Sequence, residues 1–137
     1  MTFDLDRFVS AQRGTYDTAL AELRRGRKSS HWMWFVFPQV EGLGSSVTAR
    51  RYAIAGRAEA LAYLRHDVLG PRLLEASRAV LDSGTRDAAT LLGGIDAMKL
   101  RSSMTLFEAV ADGEPVFAAV LDTFYGGERD EETLRRI

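Results

Sequence analysis

The stretch Glu114-Pro-Val-Phe-Ala-Ala-Val-Leu-Asp-Thr-Phe-Tyr-Gly-Gly127 carries the clearest helical pattern in the sequence. Its apolar residues follow the spacing i, i+3, i+4 and i+7, and they are Phe117, Val120, Leu121 and Phe124. This spacing places them on one face of an α-helix. Proline is tolerated in the first turn of a helix, and glycine commonly ends one. The stretch therefore predicts an amphipathic helix with one buried face.

The rest of the sequence repeats this kind of pattern. Further helical stripes occupy segments 5–12, 15–25, 57–66, 67–82, 85–92, 96–111 and 130–137. Asp4, Thr15 and Asp96 are placed to act as N-caps, and Gly26 is placed to end the second helix. Ala and Leu supply 34 of 137 residues against 12 for Val and Ile, which favours helix over strand. We predict an all-α fold in which residues 1–137 form one domain, a bundle of about seven to nine helices.

One segment does not follow the helical period. His31-Trp-Met-Trp-Phe-Val-Phe-Pro-Gln39 is a continuous aromatic run, and both a buried strand and a short buried helix fit it. Pro38 would end either element. Because no second strand signal offers a pairing partner, we favour the short helix.

Composition excludes several classes of protein and site. The sequence has no Cys and only His31 and His66, which excludes disulfides, Cys-based zinc sites and a three-His zinc site, so no metal and no cofactor is expected. No apolar run is long enough for a membrane span and no signal-peptide pattern opens the sequence, so we expect a cytoplasmic protein without a membrane partner. The net charge of −1 argues against a dedicated nucleic-acid-binding protein.

Familiar catalytic motifs are missing as well. The sequence contains no P-loop, zincin or serine-hydrolase signature. Gly42-Leu-Gly44 offers two of the three glycines of a dinucleotide-binding fingerprint, but the third is absent. These glycines predict a tight turn instead, with Ser45 or Ser46 capping a following short helix.

The first cluster of candidate site residues lies around the aromatic run. Lys28, Ser30 and His31 stand where a turn meets a new element, and a helix start there would present free backbone N–H groups to an anion. Trp32 or Trp34 could stack on a planar ring, and Gln39 could bind polar edges. The alternative is that the serines act as caps and the aromatic residues fill the core.

The second cluster lies in the predicted helix 96–111. Asp96, Lys99 and Ser103 fall on one helical face, with Ser102 beside them. Such polar residues interrupt an apolar helix either to line a pocket or to satisfy backbone groups of a neighbouring loop. Lys28 and Lys99 are the only two lysines among 18 basic residues, which hints at a need for a compact ammonium group.

Five segments together resemble a known bacterial family. They are 26–39, 42–45, 60–66, 69–73 and 96–107, within a match that runs from about Asp4 to Asp130. The sequence is identified by them as a member of the domain of unknown function 1810 family, whose members are sometimes labelled calpastatin. The resemblance implies a compact, mainly helical fold and no established activity. The family signature also emphasises particular positions, namely Lys28, His31, Trp32, Trp34, Pro38, Gln39, Lys99, Ser102 and Ser103.

These observations support two hypotheses of function. In the first, a pocket between segments 28–39 and 96–103 binds a small anionic, phosphate-bearing and nucleotide-like metabolite, with His31 as general acid or base if a reaction takes place. In the second, the basic cluster Arg24–Lys28 and nearby exposed aromatics dock a protein or nucleic-acid partner without catalysis. The position of the tryptophans distinguishes the two hypotheses. Tryptophans in a concave pocket favour the first, and tryptophans on an open surface favour the second.

Overall fold

The computed structural model describes residues 3–137, and this part of the chain contains ten α-helices and no β-strand. The helices are α1 Asp6–Gln12, α2 Tyr16–Arg25, α3 Met33–Val36, α4 Val47–Arg51, α5 Arg57–Arg65, α6 Leu69–Leu81, α7 Ala88–Leu92, α8 Gly94–Val110, α9 Val116–Tyr125 and α10 Glu131–Arg135. The all-α prediction is confirmed, with one helix more than the expected upper number. None of the helices in residues 3–137 combines the length and apolar composition that a membrane crossing needs.

The hydrophobic core is centred on α8, which packs against α5, α7, α9 and α10. The ring of Phe107 on α8 lies 5.3 Å from that of Tyr63 on α5 and 6.0 Å from that of Phe117 on α9, measured between centroids. The predicted apolar face of α9 is the buried one, except that Phe124 is only partly covered. α8 is therefore held on several sides, and its exposed first turns are a rigid base for a site.

Two glycines allow close approaches that fix the helix arrangement. Gly26 ends α2 in the left-handed conformation with φ of 85°, as predicted, and a Cβ there would lie 2.8 Å from the carbonyl oxygen of Ser83. Gly70 lies in the first turn of α6, where a Cβ would lie 2.1 Å from the carbonyl oxygen of Leu64. The missing side chain at position 70 lets α6 start directly against the end of α5.

Several predicted caps differ in the structure. α1 begins after Leu5 and α8 begins after Gly93, so neither Asp4 nor Asp96 is an N-cap, and Thr15 precedes α2 without a side-chain cap bond. Asp96 lies inside the first turn of α8 because the Gly93-Gly94 pair both ends α7 and begins α8. Ser46 does cap α4, accepting a hydrogen bond from the N–H of Ala49 at 3.1 Å, as the sequence predicts.

The aromatic run 31–39 forms a single helical turn, α3, which agrees with the favoured interpretation. After Pro38 the backbone makes one isolated parallel bridge, in which the N–H of Ile54 donates to Gln39 O and that of Glu41 donates to Ile54 O, both at 2.8 Å. This bridge anchors the segment that follows α3. It thereby holds Trp34 and Gln39 beside α8.

Candidate functional site

Two neighbouring clefts lie where the segment 28–39 meets the first turns of α8, and Trp34, Ile95 and Lys99 line both of them. The first, which we call the lysine cleft, has a volume of about 390 Å³. Its lining comprises Lys28, His31, Trp34, Leu92, Gly93, Gly94, Ile95, Asp96 and Lys99. The cleft lies between segment 28–39 and the first turns of α8, where the sequence analysis places its candidate pocket.

The second, which we call the carboxylate cleft, has a volume of about 450 Å³. Its lining comprises Trp34, Gln39, Leu43, Gly44, Ser45, Ser46, Ala49, Ile95, Met98, Lys99, Ser102, Asp130 and Glu132. Both volumes fall in the range of small-molecule pockets. The two clefts share a wall that is formed by Trp34, Ile95 and Lys99.

The two lysines of the chain are brought together by one carboxylate. Lys28 Nζ lies 2.9 Å from Asp96 Oδ2, and Lys99 Nζ lies 3.3 Å from Asp96 Oδ1. Lys28 Nζ also donates to the carbonyl oxygen of Ser30 at 2.5 Å. The lysine cleft therefore contains two ammonium groups and one carboxylate, a net charge of +1 before His31 is counted.

Each lysine also contacts one tryptophan. Lys99 Nζ lies 4.3 Å from the ring centroid of Trp34, and Lys28 Nζ lies 5.1 Å from that of Trp32. Both distances are within the range of a cation–π interaction. The contact between Lys99 and Trp34 fixes a cation beside the aromatic wall that both clefts share.

The expected anion-binding groups of the 29–32 segment are occupied by the protein itself. Glu22 on α2 is buried, and its Oε1 accepts from the N–H groups of Ser29 at 2.7 Å and Ser30 at 2.9 Å and from Trp32 Nε1 at 2.9 Å. Its Oε2 accepts from Ser30 Oγ. The expectation of free N–H groups at this position is therefore wrong, because an internal carboxylate fills the place of an external anion.

These hydrogen bonds change the acidity of Glu22. Burial by itself raises the pKa of the carboxyl group, since it disfavours the charged form. The hydrogen bonds from Ser30 Oγ, the N–H of Ser29, Trp32 Nε1 and the N–H of Ser30 outweigh this effect and hold the pKa of Glu22 at about 2. Glu22 is thus a charged internal anchor for the segment that carries Lys28 and His31.

The structure separates the sequence-predicted residues into two groups. Those that line the clefts are Lys28, His31, Trp34, Gln39, Lys99 and Ser102. Those that do not are Ser30, Trp32 and Ser103. Trp32 and Ser103 are both 0% exposed, and the Ser103 hydroxyl has no hydrogen-bond partner among residues 3–137. Trp34 is only partly buried, so it is the tryptophan that a ligand can reach.

His31 is exposed at the edge of the lysine cleft and makes no hydrogen bond within residues 3–137. Its imidazole is accordingly available to a ligand in that cleft. The described part of the chain contains no group of three His, Cys, Asp or Glu residues arranged for a metal ion.

The lining residues that the sequence analysis did not single out for the site include Ile95, Met98, Asp130 and Glu132. Ile95 and Met98 lie one turn apart on α8, with exposed fractions of 75% and 67%. Asp130 reaches the site because its Oδ2 accepts a hydrogen bond from Ser102 Oγ at 2.9 Å, which ties α10 to α8. The exposed apolar pair was visible in the sequence only as two ordinary helix residues, and nothing in the sequence places Asp130 near Ser102.

Comparisons with known proteins agree with the resemblance seen in the sequence. The family model described as protein of unknown function (DUF1810) matches residues 2–137, so the chain belongs to that family. A crystal structure of the conserved hypothetical protein Rv1873 from Mycobacterium tuberculosis shares 50% sequence identity and a TM-score of 0.95. That similarity covers 97% of this chain and 95% of the other. A search of curated proteins found no match.

Proposed function

We propose that the protein binds a small anionic metabolite, phosphate-bearing and nucleotide-like, in the lysine and carboxylate clefts. The observation that carries this proposal is the pair of ammonium groups at Lys28 and Lys99, both within 3.3 Å of Asp96 and both lining one cleft beside Trp34. Fold similarity adds nothing to the choice of ligand, because the family has no described activity.

The lysine cleft retains hydrogen-bond donors for an anion. An ammonium group has three N–H donors. Lys28 donates one of them to the carbonyl oxygen of Ser30, and both lysines form ion pairs with Asp96. The first turn of α8 forms a wall of the same cleft, and the N–H groups of a first turn lack partners within the helix. A phosphate group at this position would thus meet donors from two side chains and the backbone.

The neighbouring aromatic wall suits a planar group. Trp34 is partly exposed and lines both clefts, and Ile95 and Met98 give apolar surface on the opposite element. A planar ring against these side chains would cover apolar area that water now contacts. If the ligand is transformed, His31 is the proposed general acid or base, since histidine exchanges protons near neutral pH.

The alternative, a docking module, finds less support. It requires exposed tryptophans beside the basic cluster Arg24–Lys28. Trp32 is instead buried with its N–H bonded to Glu22, and Trp34 lies in the clefts. The exposed arginines Arg24 and Arg25 are left without an adjacent exposed tryptophan in residues 3–137, so a ligand site explains the arrangement better.

A thermal-shift screen tests the proposal with inorganic phosphate, nucleotides and sugar phosphates as probes. A ligand at about 100 times its Kd stabilises a protein by roughly 2.7 kcal/mol, or on the order of 10 °C for this length. We expect Lys99→Gln and Trp34→Ala to lose the shift, while the surface control Arg86→Ala keeps it. No shift with any anionic probe, or a shift that survives Lys99→Gln, contradicts the proposal.

A further inference from the structure

We propose that the ligand of this site carries its negative charge at one end and an amino-substituted planar ring at the other. This inference rests on the proposed function and deepens it by defining a ligand class. It follows from the different charged groups of the two clefts that share Trp34, and from the apolar residues along the carboxylate cleft.

The two clefts differ in the sign of their charge. The lysine cleft has two lysines and Asp96, a net charge of +1. The carboxylate cleft has Asp130 and Glu132 together with Lys99, which it shares, a net charge of −1. Within residues 3–137, Lys99 is the single cation of that lining. A ligand anion is therefore favoured on the lysine side, while the lining of the carboxylate cleft offers acceptor oxygens.

The carboxylate cleft still has acceptor capacity. Asp130 Oδ2 accepts from Ser102 and Thr133, while Oδ1 has only Arg101 at 3.9 Å. Because an ionised carboxylate has about four acceptor positions, Asp130 can accept a hydrogen bond from a ligand at Oδ1. A ligand group at this end must then donate hydrogen bonds, as an amino group does and a carbonyl oxygen does not.

Glu132 adds a second acceptor to the same cleft. Its oxygens pair with Arg135 at 2.9 Å and Arg136 at 3.1 Å, and neither arginine belongs to the lining. The side chain is thereby held in place at the cleft while its remaining lone pairs stay open to a donor.

The exposed apolar side chains along the carboxylate cleft favour a donor that is attached to a flat ring. Ile95 and Met98 are 75% and 67% exposed although they are large apolar side chains on the core helix. Both line the carboxylate cleft with Trp34 and Leu43. A planar ring inserted here would contact apolar groups with its faces and the carboxylates with its edge, which accounts for an exposed apolar pair beside two acids.

Two matched pairs of nucleotides test this inference by titration calorimetry. Adenosine 5′-monophosphate and purine riboside 5′-monophosphate differ only in that an amino donor of the first is a hydrogen atom in the second, as cytidine 5′-monophosphate and its 2-pyrimidinone analogue do. We expect the amino-bearing member of each pair to bind about tenfold more tightly, because one well-placed hydrogen bond is worth about that factor. Equal binding within both pairs, or a preference for the member that lacks the amino group, overturns the inference.

Variants assign the preference to the carboxylates. Glu132→Gln and Asp130→Asn should each reduce the amino preference severalfold, since an amide also donates hydrogen bonds. Glu131→Gln is the matched control, because Glu131 lies on the same short helix, is exposed and does not line the carboxylate cleft. Circular dichroism of Asp130→Asn checks that the variant keeps its helical structure. If the helical structure is lost, the nucleotide preference of Glu132→Gln alone tests the assignment. A preference unchanged in Glu132→Gln and in folded Asp130→Asn overturns the assignment.

The same titrations separate the two proposals. If the members of each pair bind equally but all lose affinity in Lys99→Gln, the anionic site stands and the ligand class is wrong. If none of the four nucleotides binds and inorganic phosphate and the other anions give no thermal shift, the proposed function fails together with the inference.

Discussion

The carboxylate of Glu22 accepts a hydrogen bond from the indole N–H of Trp32 at 2.9 Å, although both side chains are buried. The contact joins α2 to the turn before α3 and gives the indole donor the partner that burial requires. It also determines which tryptophan faces the clefts, because Trp32 is held inward and Trp34 is left at their shared wall.

The low pKa of Glu22 predicts an acid-sensitive fold. The carboxyl group has a pKa of about 2 when folded against an ordinary value of 4.5, so its stabilisation is present above about pH 4.5 and is lost as the pH falls toward 2. The difference corresponds to about 3 kcal/mol. Urea unfolding between pH 7 and pH 3 should show about 2 kcal/mol of this loss in the wild type and a much weaker pH dependence in Glu22→Gln. The exposed control Glu41→Gln should behave like the wild type, and a pH dependence unchanged in Glu22→Gln would contradict the prediction.

Substitution of Trp32 should mainly reduce stability, whereas substitution of Trp34 should mainly reduce ligand binding. Trp32→Ala removes a fully buried ring and should lower the free energy of unfolding by about 3–5 kcal/mol. Trp34→Ala should cost less than about 2 kcal/mol, because the side chain is only partly buried, yet it should abolish ligand binding. Urea unfolding of each variant, with calorimetric titration of Trp34→Ala, checks both parts. Comparable destabilisation by the two substitutions would show that Trp34 is a core residue.

Gly70 and Gly94 form a matched pair for a test of packing. Gly70→Ala places a Cβ against the carbonyl of Leu64, which backbone movement must relieve, and should destabilise the protein by about 1–3 kcal/mol. Gly94→Ala meets no atom within 4 Å at the start of α8 and should be neutral or stabilising by up to about 1 kcal/mol. Melting temperatures of both variants test these expectations. An unchanged melting temperature for Gly70→Ala would mean that the start of α6 is not closely packed against the end of α5.

Arg7 should be needed for stability despite its position on the short first helix. It donates to Glu59 Oε2 at 2.9 Å and to the carbonyl oxygen of Ala53 at 2.7 Å, and Glu59 is almost fully buried. Arg7→Met leaves that carboxylate without its cation and should cost about 3–5 kcal/mol. Adding Glu59→Gln should recover part of the loss, whereas exposed Arg13→Met should cost little. Additive losses in the double variant would contradict a direct coupling.

The structure also shows which features a sequence of this kind can reveal. The apolar face of α9 and the glycine after α2 were predictable, because each depends on residues within one element. The burial of Glu22 was not, since a glutamate in a helix is ordinarily solvent-facing, and its donors come from a different segment.

The site was predictable to a similar extent. Lys28 and Lys99 were both singled out by their rarity among arginines, but only the fold shows that Asp96 joins them. The sequence does not show which of Trp32 and Trp34 is buried. Because α3 is a single turn within a continuous aromatic run, no helical period separates a buried face from an exposed one. The hydrogen bond between Ser102 and Asp130 connects residues 28 positions apart and leaves no local pattern.

The carboxylate shared by Lys28 and Lys99 has a consequence for the entropy of association. A free lysine side chain loses up to about 2 kcal/mol of rotamer freedom when it is immobilised. Both side chains are already restrained by their ion pairs with Asp96, so much of this entropy is lost on folding and not on binding. A bound anion would find its partners preorganised, and more of the contact energy would appear as affinity.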